Sequence, residues 1–125
     1  MEIHHIGIAC NNIEEEIVAI RKLHRIKKCS EILFDEEQNA RVCLLTIQES
    51  IPIELVSGTP VVNLLSKGIT YYHLGFGVTD IQKEARRLTN SGAIQVSHPK
   101  PAILFSNKMV AFFYSPYGLI ELVEC

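Results

Sequence analysis

Tryptophan is missing from this chain, methionine occurs only twice, and neither sign of charge prevails: 12 Lys and Arg stand against 14 Asp and Glu, a net charge near -2. Without a basic excess there is no electrostatic footprint for nucleic acid, and the one basic run, Arg21 to Lys28, has no aromatic-plus-basic stripe beside it. No apolar run approaches the ~20 residues of a membrane-spanning helix. The N-terminus lacks a charged leader followed by an apolar stretch, so a cytoplasmic protein with no membrane partner is expected. Cys10, Cys29, Cys43 and Cys125 show neither CxxC nor Cys/His metal spacing and read as small buried hydrophobes rather than a disulfide framework. What is present is an ordinary globular composition: 47% hydrophobic residues over 125 positions, enough for the core of one domain.

The chain also repeats itself. The stretch IELV occurs at Ile53 to Val56 and again at Ile120 to Val123, and HIGIACNNI (5 to 13) can be laid on HLGFGVTDI (73 to 81). His5 then meets His73, Gly7 meets Gly75, Asn12 meets Asp80 and Ile13 meets Ile81. The offset is 68 residues for the His pair and 67 for Glu54 and Glu121. Two matches in the same order at nearly one offset point to two copies of a supersecondary unit, at about 1–58 and 70–125 with a short connector.

Each unit begins with an apolar strand, IHHIGIAC or YYHLGFGV, followed by an Asx cap at Asn12 or Asp80. The first helix carries Ile13, Ile17 and Ile20 at helical spacing with Glu14, Glu15 and Glu16 in its first turn; the second stops near Gly92. Three apolar runs follow each helix, near 29–35, 41–48 and 51–57, and near 93–97, 108–115 and 118–124. The predicted architecture is α+β: two tandem βαβββ modules in one domain.

Period-two alternation assigns faces. Ile6, Ile8 and Cys10 lie opposite His5, Gly7 and Ala9; Leu74, Phe76 and Val78 lie opposite His73, Gly75 and Gly77; Glu54 and Glu121 oppose their branched neighbours. If the sheet curls with its helix-free face inward, two imidazoles and two carboxylates share one cavity, with glycines leaving room beside them. A lone strand His is more often a hydrogen-bonded core residue, and a lone Glu a solvent-facing one. A duplicated quartet in an apolar cavity needs a counter-charge, because isolated buried carboxylates are costly. A divalent ion (Ni, Co, Zn, Fe or Mn) supplies it, with His5, Glu54, His73 and Glu121 as a neutral N2O2 ligand set.

HHIGIA, IELVSG, YYHLGFGVTDI and GLIELVE together resemble the vicinal oxygen chelate superfamily of glyoxalases, epimerases and dioxygenases, over essentially the whole chain. The similarity is strongest to the branch holding methylmalonyl-CoA epimerase and small glyoxalase I enzymes. It implies paired βαβββ modules in a curled, mostly antiparallel sheet cupping one metal, with the same four residues on the ligand positions, and a homodimer. Glu54 looks glyoxalase-like, since epimerases often carry Gln there. The implied chemistry is proton transfer through a metal-stabilised enolate on a thioester, hemithioacetal or related acid. The base is then a ligand carboxylate, Glu54 or Glu121, or else Glu37 in DEEQNARV, near the epimerases' EQG-like stretch but with Asn39 in place of its Gly. Lys100, Phe105 and Lys108 are candidate substrate contacts, in a region lacking the epimerases' Gly-rich, His-containing loop. The alternative is a metal-free antibiotic-binding dimer of the same fold. Such binders usually lack the quartet and line their cavity with aromatics, whereas Phe112, Phe113, Tyr114 and Tyr117 cluster late in this chain.

Overall fold

The computed structural model describes residues 1–125. The first half contains β1 (Glu2–Ala9), α1 (Ile13–Leu23), β2 (Ile26–Cys29), β3 (Leu33–Asp35), β4 (Ala40–Ile47) and β5 (Ile53–Gly58). A 3-10 turn (Thr59–Val61) and α2 (Val62–Ser66) connect it to the second half. That half contains β6 (Tyr71–Val78), α3 (Ile81–Asn90), β7 (Ile94–Gln95), β8 (Lys100–Ala102), a 3-10 turn (Ile103–Phe105), β9 (Lys108–Ser115) and β10 (Gly118–Glu124). The fold is mixed α+β, as the sequence indicates.

Helices α1 and α3 start at the Asx caps. Asn12 Oδ1 accepts the Glu15 N–H at 2.8 Å and Asp80 Oδ1 accepts the Lys83 N–H at 3.0 Å, satisfying donors that the first helical turn leaves open. Gly92, just past α3, adopts φ +103, which a side chain would resist. Each of these two helices covers the outer face of its half. Ile13 of α1 packs with Cys10, Cys43, Leu45 and Leu55, and Ile81 and Ala85 of α3 pack with Val78, Phe113, Ile120 and Leu122. Full burial of each large aliphatic or Phe side chain contributes about 1.5–3 kcal/mol.

All ten strands form one open sheet in the order β2-β4-β5-β1-β6-β10-β9-β7, with β3 on β4 and β8 on β9. β5 runs parallel to β1 and β10 parallel to β6; every other pairing is antiparallel. The order mirrors itself about the β1–β6 junction.

Two expected strands are each broken in two. Instead of one strand near 29–35, β2 and β3 pair in turn along one edge of β4; instead of one near 93–97, β7 and β8 do the same along β9. At each break a serine hydroxyl takes over as acceptor: Ser30 Oγ from the Leu44 N–H at 2.9 Å, Ser97 Oγ from the Phe112 N–H at 3.0 Å. Apolar enrichment does not show such a jog, because the strand N–H there is satisfied by a side chain rather than a ladder carbonyl.

Candidate metal centre

His5, Glu54, His73 and Glu121 stand on the four central strands β1, β5, β6 and β10. All four are nearly sealed from solvent, at 0%, 4%, 1% and 2% exposure. Four flat strands at ~4.8 Å spacing would span about 14 Å. One ligand atom from each residue nevertheless lies within 4.8 Å of the others, so the sheet curls around them.

The register explains the glycines. Gly7 pairs with Glu54 on one side and His73 on the other, and Gly75 pairs with Glu121 and His5. A Cβ at Gly7 would come far inside van der Waals contact with the His73 ring, and a Cβ at Gly75 with the His5 ring. Each half's glycine thus makes the space for the other half's imidazole.

The four donors meet in a compact group. His5 Nε2 lies 2.9 Å from His73 Nε2, 3.2 Å from Glu54 Oε1 and 2.9 Å from Glu121 Oε1. His73 Nε2 lies 3.3 and 3.2 Å from the same oxygens. These separations match the edges of a coordination shell: with ~2.1 Å bonds, ligand atoms sit roughly 3.0 Å apart at right angles and 3.4 Å apart at the tetrahedral angle. Although close, neither Glu54 Oε1 nor Glu121 Oε1 receives an aligned hydrogen bond. Buried carboxylate oxygens facing imidazole nitrogens without hydrogen-bond alignment, in an N2O2 donor set, fit a divalent cation.

Charge holds the set together in the metal-free protein. Burial disfavours the His73 imidazolium, but the Glu121 and Glu54 carboxylates outweigh it and raise the His73 pKa to about 9. His5 is raised against the same burial by the same two carboxylates. Burial acts to raise Glu54, yet His5 and His73 bring it down to about 2. The N–O distances, short but off the hydrogen-bond direction, make proximity of charge the cause of these shifts.

Beside the cluster is a cavity of about 280 Å³. Tyr72 and Phe112 form its inner wall, with ring centroids 4.6 and 5.4 Å from that of His73. Glu37, Lys100 and Tyr114 also line it. The Glu37 carboxylate lies 3.9 Å from Lys100 Nζ, both half exposed. Buried Asp35 shapes this turn, accepting the Glu37 N–H at 3.0 Å and Gln38 Nε2 at 2.9 Å, and Asn39 takes φ +54, a conformation Gly adopts freely and Asn tolerates. Phe105 does not line the cavity: its 3-10 turn carries it onto the His5 ring, at a centroid distance of 4.9 Å. Lys108 is exposed at the start of β9, also outside the cavity.

Residues 4–112 match the family profile described as Glyoxalase/Bleomycin resistance protein/Dioxygenase superfamily. The chain belongs to this superfamily. No curated protein matches it. Among solved structures, methylmalonyl-CoA epimerase from Mycobacterium tuberculosis superposes with TM-score 0.84 at 23% identity, over 98% of this chain and 87% of that one. A variant of the Streptomyces coelicolor epimerase in complex with 2-nitronate-propionyl-CoA gives 0.77 at 22% identity, over 99% and 94%. A methylmalonyl-CoA epimerase in complex with methylmalonyl-CoA and NH4+ gives 0.76 at 22%, over 98% and 93%. At these identities the superfamily fold is what the likenesses show.

Sequence reasoning missed the cavity aromatics of this superfamily member. Phe112 and Tyr114 alternate along β9 onto the inner face, while Phe113 between them joins the core under α3. That signal was available from period two. Tyr72 was not legible in the same way: period two puts it opposite His73, but the β1–β6 register skips it, passing from Gly7–His73 to Ile8–Tyr71. The bulge lays the Tyr72 ring beside its neighbouring imidazole. The expectation that the aromatics avoid the cavity is therefore corrected. No helix is long and apolar enough to cross a membrane.

Proposed function

We propose that this chain is a metal-dependent proton-transfer enzyme, acting as an epimerase or isomerase on a small acid or thioester whose C–H is made acidic by a neighbouring carbonyl. One observation carries the reading: four buried His and Glu side chains converge on one point with carboxylate oxygens left unpaired, next to a cavity holding an acid, a base and aromatic walls. A bound divalent ion (Ni, Co, Zn, Fe or Mn) supplies Lewis-acid stabilisation of enolate charge.

The chain's own residues do the rest. Glu54, Glu121 or Glu37 takes the proton from carbon as its electron pair moves into the carbonyl, and the returning proton completes the exchange. The raised imidazole pKa values and the depressed Glu54 value keep the metal-free cluster in a charged, paired state that a dication replaces by displacing protons. Lys100 meets the substrate's carboxylate or other anionic group, Tyr72 and Phe112 exclude water beside His73, and Phe105 seals His5 from the other side. Lys108 extends the positive field at that end of β9.

Similarity to epimerases seen with acyl-CoA compounds supports a thioester substrate, and Glu54 in the second ligand position supports a glyoxalase I-like hemithioacetal reaction. Both abstract a proton beside a carbonyl or its equivalent. NMR in D2O separates them, reading loss of the C2 proton signal with methylmalonyl-CoA and conversion to the thioester product with the methylglyoxal-glutathione adduct; no turnover of either refutes both substrates. We place the enzyme in the cytoplasm as a homodimer. Exposed Phe34, Ile94, Val96 and Tyr117 are apolar surface that such a pairing can cover, and sedimentation tests the assembly.

The aromatic wall of Tyr72, Phe112 and Tyr114 favours a second reading, a metal-free binder of aromatic antibiotics. Metal content discriminates between the two.

A further inference from the structure

The bulge at Tyr72 has a counterpart one repeat earlier. In β1 the register passes from Ile3–Phe76 to His5–Gly75 and skips His4, so His4 and Tyr72 occupy equivalent places, 68 residues apart, each just before a ligand imidazole. Both rings stand edge-on to that imidazole, at centroid distances of 5.1 and 4.6 Å. The chemistry differs. His4 Nδ1 lies 2.8 Å from His5 Nδ1, whereas His73 Nδ1 is buried without a hydrogen-bond partner.

A histidine that ligates through Nε2 must carry its neutral-state proton on Nδ1, and it binds metal best when an acceptor holds that proton and fixes the ring. The structure assigns His4 as a positioning residue that accepts the Nδ1–H of His5, fixing His5 as an Nε2 ligand and making the two imidazoles of the centre unequal. This rests on the metal reading of the cluster.

Three observations favour it over simple packing. The nitrogen atoms, not only the rings, face each other at hydrogen-bond distance. His4 is itself held edge-on to Phe105, at 5.1 Å, so its acceptor is fixed in place. Its ring also borders a separate cavity of about 410 Å³, so it is not a sealed core filler whose replacement must collapse the fold.

The test uses the full-length protein and zinc. His4→Phe keeps an aromatic ring against Phe105 and His5 but removes the acceptor; His4→Asn restores an acceptor at about the same reach. Zinc affinity is measured by chelator competition. His4→Phe is expected to weaken it about 10–100-fold, with His4→Asn recovering most of the loss. In the zinc-loaded wild type, NMR is expected to show a slowly exchanging proton on His5 Nδ1 and a nitrogen–nitrogen coupling across the bond to His4 Nδ1; this reading needs no variant and stands if His4→Phe fails to fold. Zinc affinity of His4→Phe within twofold of wild type, equal loss in His4→Phe and His4→Asn, or no coupling in the wild type overturns the assignment while leaving the metal centre intact. A wild type that binds none of Zn, Ni, Co or Mn overturns the metal reading and this inference together.

Discussion

The two halves of the sheet supply the same pair of side chains, one His and one Glu, in different surroundings. In the first half, β1 and β5 carry His5 and Glu54, and the His5 ring rests between His4 and Phe105. In the second, β6 and β10 carry His73 and Glu121, and the His73 ring rests between Tyr72 and Phe112, which open onto the cavity. The duplicated part is the His/Glu cluster and the frame that holds it: His, Gly, Glu, the Asx cap, the bulge and the serine at the broken edge strand. What has diverged is everything on the far side of the imidazoles. One half packs its imidazole against His4 and Phe105; the other sets its imidazole behind the aromatic wall of a cavity.

The interlock between halves gives the largest expected effect. Gly75→Ala pushes into His5 and Gly7→Ala into His73, so each should cost at least the ~1–3 kcal/mol of an overpacked core and remove metal binding. Combining Gly75→Ala with His5→Ala should restore much of the lost stability in urea unfolding, since the space is then free. Additive losses would show that the glycine answers to backbone needs rather than to the opposite half's imidazole.

Next come the carboxylates. Glu54→Ala and Glu121→Ala each remove a donor atom outright and should lower metal affinity by more than ~100-fold, beyond what supporting residues around ligands contribute. Because the ligand set is symmetric, similar losses are expected; a large difference, measured by chelator competition, would mean that one half alone holds the ion.

The pH dependence follows from the shifted groups. His73, raised from 6.5 to about 9, adds stability to the metal-free protein that is fully present below pH 6.5 and lost as pH rises through 9. Glu54, depressed from 4.5 to about 2, adds stability present above pH 4.5 and lost as pH falls toward 2. Metal loading reverses the alkaline part: it displaces at least the His73 proton at pH 7, so apparent affinity should rise with pH up to about 9. Calorimetry in buffers of different ionisation enthalpy reads that proton directly, and no proton release would contradict imidazole ligation.

The smallest effects should be equal between halves. Asn12→Ala and Asp80→Ala each remove one cap bond and should cost about 1 kcal/mol in urea unfolding.

Much of this was legible in the sequence because duplication marks what both halves need. The 67- and 68-residue offsets located all four residues of the cluster, and the caps and helix periods located both helices. Period two put Gly7 and Gly75 on the same face as the imidazoles, but not beneath the imidazole of the opposite half, which depends on β1 and β6 being neighbours. The bulges at His4 and Tyr72 were not legible, since one skipped residue changes the face a side chain reaches without leaving a compositional trace. Phe105 is a candidate substrate contact on sequence, but a loop of mixed polarity hides the 3-10 turn that tucks its ring onto His5.

The most direct test of the central claim is the metal content of purified, untagged protein by mass spectrometry, with His73→Ala beside it. About one divalent ion per chain, lost in the variant, is the predicted result. A wild type without metal, even after reconstitution with Ni, Co, Zn or Mn, would contradict the account and leave the aromatic cavity of a metal-free binder in its place.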